Sequence, residues 1–78
     1  MLLDVVQVEP KDDSVLLLEF ENGERRRFDM KPYLNKPPFW RLKEPSLFSM
    51  ATVAYGTVVW PGDIDISPDT LYDRSQPI

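Results

Sequence analysis

The sequence predicts a small α+β fold: an antiparallel β-sheet of about five short strands with two short helices, in one domain over residues 1–78. Three observations predict it. A β-branched run, Thr57-Val58-Val59-Trp60, ends at Pro61-Gly62 and passes through alternating Asp63-Ile64-Asp65-Ile66 into a helix start at Ser67-Pro68. The apolar run Val15-Leu16-Leu17-Leu18 to Phe20 leads into Glu21-Asn22-Gly23, which reverses the chain so that residues 24–30 return as a hairpin strand. And 78 residues without repeat, linker or low-complexity segment make one domain near the lower size limit for independent folding.

Residues 2–9 mix Leu, Val and Gln as a strand, closed by Glu9-Pro10 and the polar turn Lys11-Asp12-Asp13. Residues 14–20 are a stronger strand, and residues 24–30 return beside it. Side-chain parity selects the loop between them. A two-residue Asn-Gly loop would set Glu21 against Glu24 and turn Phe28 and Met30 away from Phe20. A three-residue loop, with Glu21 and Asn22 in a type I turn and Gly23 left-handed, puts Leu16, Leu18, Phe20, Phe28 and Met30 on one face. It also brings Arg25 across from Glu19. Val15 and Leu17 then point to the other face, which another element is expected to cover in part.

Pro32, Pro37 and Pro38 punctuate the next segment and leave room for one helical turn around Tyr33-Leu34. Phe39 to Lys43 reads as a short helix opened by prolines, and Glu44 before Pro45 leaves helical geometry. Ser46 to Phe48 forms a further single turn. Residues 50–55 and 57–60 are strands split by Gly56, a tight turn needing positive φ. Ser67 as N-cap, Pro68 at the first helical position and Asp69 in the first turn open a helix over 67–74. The strands near 50–60 are expected to extend the hairpin sheet. Leu16, Leu18, Phe20, Phe28, Phe48, Val58, Trp60 and Leu71 should form the core.

Composition narrows function. There is no Cys and no His, so disulfides are excluded, the usual catalytic bases and nucleophiles are missing, and a zinc site would need carboxylates alone. The net charge of −4 opposes a dedicated polyanion binder. Asp4 interrupts an N-terminus that lacks a cationic region, and no apolar stretch approaches the roughly 20 residues of a membrane helix. A cytoplasmic protein is the expectation. A chain this small without cross-links also favours a homodimer.

Candidate chemistry lies in three places. Asp63-x-Asp65-x-Ser67 opens like a calcium loop, but the position requiring Gly is Pro68 and the position requiring a bidentate Glu is Arg74. The alternating Ile64 and Ile66 instead suggest a strand with Ile inward and Asp outward. Arg25-Arg26-Arg27 is the only basic run. On a strand its side chains alternate faces, so they form no continuous patch, and arginines also protect sheet edges. Trp60 and Tyr72 suit a core, although Trp, Tyr and Arg also anchor interfaces. The partner-binding residues drawn from this block are Trp60, Asp63, Asp65 and Tyr72, with no catalytic residue, cofactor or metal.

Together, the Asn22-Gly23-Glu24 hairpin running into Phe28-Asp29, Leu42-Lys43-Glu44-Pro45-x-x-Phe48, and Gly56-Thr-Val-Val-Trp60-Pro through Asp65 to Ser67-Pro-Asp-Thr-Leu-Tyr72 form a pattern. It resembles the small bacterial domain-of-unknown-function family 2442 over nearly the whole chain, departing at Pro61-Gly62-Asp63. The resemblance implies a compact α+β fold with an antiparallel sheet, in proteins found beside a second short reading frame and sometimes joined to a C-terminal helix-turn-helix. These 78 residues leave no room for such a segment of their own. No catalytic residue carries over. The function expected is a non-enzymatic protein-interaction module, paired with the product of a neighbouring gene. The alternative is an accessory regulator that contacts nucleic acid through Arg25, Arg26 and Arg27 within a larger complex.

Overall fold

A computed structural model describes residues 3–78; Leu2, read as part of the first strand, lies outside the described residues. In chain order the elements are β1 (Val5–Lys11), β2 (Val15–Phe20), β3 (Arg25–Asp29), α1 (Pro45–Phe48), β4 (Thr52–Ala54), β5 (Thr57–Trp60), β6 (Ile64–Ile66), α2 (Pro68–Asp73) and β7 (Gln76–Pro77). Short 3₁₀ segments occupy Asp12–Ser14, Lys31–Tyr33 and Phe39–Lys43.

The β2–β3 loop closes as side-chain parity requires. Gly23 N–H donates to the Phe20 carbonyl and Phe20 N–H to the Glu24 carbonyl, both at 2.9 Å, with Gly23 at φ +87°. Arg25 stands opposite Glu19 and Phe28 opposite Leu16. Leu16, Leu18, Phe20, Phe28 and Met30 are all buried. β1 pairs with β2 on the far side and runs through Pro10 to Lys11. Pro10 is tolerated because β1 is an edge strand, where a missing N–H interrupts no ladder.

The α+β class holds, but the strands near 50–60 do not extend the hairpin sheet. They form a separate antiparallel sheet, β4-β5-β6, and the first sheet is ordered β1-β2-β3-β7. The connection explains the difference. Residues 30–51 carry Pro32, Pro37, Pro38 and Pro45 and run as 3₁₀ and helical turns, so the chain leaves the β3 edge before it can pair there. That edge is taken instead by Gln76 and Pro77 at the end of the chain. Phe39–Lys43 is 3₁₀ rather than α-helical, and α1 is the single turn after Glu44.

The second sheet follows its local chemistry. Tyr55 (φ +55°) and Gly56 (φ +74°) make a two-residue turn with both φ positive, and Ala54 pairs with Thr57. Ile64 and Ile66 are buried while Asp65 between them is exposed, the alternation expected. The Ser67 hydroxyl caps α2 by accepting from Asp69 N–H at 3.2 Å. The two sheets enclose one core in which all eight predicted residues are buried, joined by Val5, Met30, Leu42, Ile64 and Ile66.

Gly56 fixes how the sheets meet. Its carbonyl accepts from Val5 N–H at 2.9 Å, and a Cβ at this position would lie 2.5 Å from Asp4 Oδ1. Gly56→Ala should therefore lower stability by at least the ~1–2 kcal/mol that a left-handed L-residue costs, before any displacement of Asp4. Urea unfolding measures this; an unchanged midpoint would show that the turn does not control the junction.

Candidate interaction surface

The four residues drawn from the Trp60–Tyr72 block do not share one surface. Trp60 is only 3% exposed. Its indole N–H donates to the Phe48 carbonyl at 3.0 Å and its ring lies 6.1 Å from that of Phe48. Being on the same face of β5 as Val58, it is a core residue with its one polar atom satisfied, and it is withdrawn as a partner contact. Asp63 and Asp65 are exposed, the first in the β5–β6 turn and the second on the edge strand β6. Among the described residues no three acidic side chains converge where they could hold a metal ion.

Tyr72 belongs to a different cluster. Its ring meets Phe20 edge-on at 5.2 Å, and its hydroxyl donates to the Glu24 carboxylate at 2.8 and 3.0 Å. The Arg26 guanidinium lies 4.4 Å over the ring and pairs with Glu24 Oε2 at 3.1 Å. Arg26 also donates to the Ser75 hydroxyl at 2.6 Å and the Ser75 carbonyl at 2.9 Å. The Ser75 hydroxyl in turn donates to the Tyr72 carbonyl at 2.9 Å. Together Glu24, Arg26, Tyr72 and Ser75 bind α2 and the chain end to the hairpin. The Tyr72 hydrogen bond, then those from Asn22 and Arg26, hold the Glu24 carboxyl below its ordinary value. The same bond to Glu24, aided by burial, raises the Tyr72 phenol.

This cluster also resolves the basic run. Arg26 is turned to the Tyr72 side, whereas Arg25 and Arg27 project from the opposite face. Arg25 Nε lies 3.6 Å from Glu19 Oε1, as the register predicts. Arg27 makes no ion pair with any described residue.

A concavity lies on that opposite face. Strand register sets Gln7, Glu19 and Arg25 in one row, Glu9, Leu17 and Arg27 in the next, and Lys11, Val15 and Asp29 in a third. Ile78 follows Arg25 outward, its N–H donating to the Arg25 carbonyl at 3.1 Å. A groove of about 580 Å³ lies over the first two of these rows, lined by Leu17, Gln7 and Glu19, with Val53 on one side and Ile78 on the other. Leu17 is half-buried, so the partial cover expected over this face is present but leaves the groove open. The available sequence signal was Leu17 itself, an apolar residue on the face without a core. The contributions of Val53 and Ile78 come from distant segments and had no local signature.

Residues 5–77 match the family described as Protein of unknown function (DUF2442). That match spans nearly the whole chain, and the chain belongs to this family. No curated protein and no solved structure matches it.

The Glu24–Tyr72 bond makes stability pH-dependent in both directions. Glu24 has a folded value below its unfolded one, so its contribution is complete above the ordinary 4.5 and is lost as pH falls through the folded value. Tyr72 has a raised value, so its contribution is complete below the ordinary 10.0 and is lost as pH rises through the folded value. Tyr72→Phe should flatten both limbs of a urea-midpoint profile. Limbs as steep as in the wild type would show that this bond does not couple to folding.

Proposed function

We propose that the chain is a non-enzymatic protein-interaction module of the cytoplasm that binds its partner at the groove over Leu17. The groove carries the reading. It is open, it combines apolar Leu17, Val53 and Ile78 with Glu19, Arg25 and Gln7, and mixed apolar and polar lining of this kind suits a protein surface. Val53 and Ile78 are 36% and 74% exposed, so apolar area there awaits cover.

The directions in which Glu24, Asp29 and Tyr72 are shifted fit a non-enzymatic role. A general acid or base works best with a pKa near the operating pH. Here Glu24 is shifted down by Tyr72. At Asp29 burial pushes upward, but bonds from Lys31 and the charge of Arg27 outweigh it and the carboxyl is lowered. Tyr72 moves up. All three shifts lead away from neutrality.

The product of a neighbouring gene is the first partner to test. Affinity purification of the intact chain from its native host, read by mass spectrometry, should recover a specific protein. Leu17→Arg and Val53→Asp, at positions not fully buried, should reduce that recovery by about tenfold without altering the circular dichroism spectrum. A partner retained equally by both variants would move the site away from the groove, and no specific partner, together with a chain that stays monomeric, would defeat the module reading.

A further inference from the structure

The groove face has a charge pattern that is complementary to itself, and we propose that its occupant is a second copy of this chain. The two copies pack sheet to sheet across a two-fold axis that runs parallel to β2 through Leu17. The proposal rests on the reading of this face as an interaction surface and names the partner.

The geometry follows from register. An axis along β2 lays β1 of one copy over β3 of the other at the same height, and leaves β2 over β2. Glu9 and Arg27 flank Leu17 in one row. Under the rotation Glu9 of each copy meets Arg27 of the other, while Leu17 meets Leu17. Lys11 and Asp29 flank Val15 in the next row. They also exchange into opposite-sign pairs. In the third row Gln7 meets Arg25. One like-charge meeting remains, Glu19 with its copy, and each Glu19 already has Arg25 at 3.6 Å. Two guanidinium groups thus flank the two carboxylates.

Two further observations agree. Arg27 is the basic side chain on this face without an ion pair among the described residues, whereas Lys11 lies 2.7 Å from Glu9 and Arg25 3.6 Å from Glu19. Glu9 of a second copy gives Arg27 the missing partner. The apolar walls also match. Ile78 lies beyond β3 and Val53 beyond β1, so the rotation brings Ile78 of each copy toward Val53 of the other. Isologous two-fold contacts are the commonest assembly of identical chains. The sheet face spans only ~19 Å across four strands and ~17 Å along five residues, which places the contact at the small, concentration-dependent end of interfaces.

Sedimentation equilibrium of the full chain at low and high salt tests this. The wild type should pass from monomer to dimer as concentration rises, and salt should weaken the dimer. Arg27→Glu sets like charges against Glu9 of the other copy, and Glu9→Arg does the same to Arg27. Each single variant should associate at least about tenfold more weakly. Mixing the two single variants should restore association, because each supplies the sign the other has lost. A monomer at millimolar concentration would overturn the proposal, as would dimers indifferent to both substitutions. If that monomer still captures a groove-dependent partner, the interaction reading survives and only the second copy is excluded.

Discussion

The register of the β2–β3 hairpin is the constraint on which the remaining structure depends. Closing the loop with Glu21, Asn22 and Gly23, rather than with Asn-Gly alone, sets Phe20 against Glu24 and Leu16 against Phe28. A slip of one residue would turn every β3 side chain to the other face. Phe28 would leave the core and Arg26 would leave Tyr72. Arg25 and Arg27 would be driven inward, where an unpaired charge is costly. The choice is enforced from both faces at once: aromatic burial on one side, and on the other the Glu19–Arg25 pair beside Leu17. Neither effect alone needs to be large, because both select the same parity.

The C-terminal segment depends on that register too. β7 contributes only Gln76 and Pro77, both exposed, which is too little ladder to hold a strand. What holds it is Arg26. Its guanidinium reaches Ser75 twice, covers the Tyr72 ring and pairs with Glu24. Charge-assisted bonds from one planar group in several directions fix orientation as well as distance. The middle arginine of the basic run is therefore a clamp between the hairpin and α2, and its neighbours are surface charges.

What was legible in the sequence was what is decided locally. Gly23, Gly56 and the Ser67-Pro68 cap each encode a backbone geometry that few other residues accept, and each is found as read. Parity carried the hairpin register because charge and apolar patterning agreed there. The illegible parts are long-range. Nothing near Gln76 announces a strand, since its ladder exists only because β3 presents an edge. Tyr72 and Trp60 are both aromatic and near in sequence, yet one bonds to Glu24 and the other to the Phe48 carbonyl, on segments the sequence cannot rank. The division into two sheets was hidden for a related reason. Strand signals in residues 50–60 say that strands form, while the proline-rich path before them decides where they pair.

The edges of the molecule are built against edge pairing. An open sheet edge offers unpaired N–H and C=O groups to any extended chain. In the first sheet the outer strands are β1 and β7, and each contains a proline, Pro10 and Pro77. β1 is further interrupted by an irregularity between Val5 and Gln7. Both devices blunt strand addition. In the second sheet β6 carries the exposed Asp65 and follows the exposed Asp63, acidic residues that have no core to serve and discourage continuation of the ladder. With three of the four outer strands guarded, the outer face of the first sheet still presents an open groove. There the half-buried Leu17 lies between Glu9 and Arg27. A chain without disulfides buries a modest core, and the proposed face-to-face pairing would add buried area without exposing an edge that would let association run on beyond two copies.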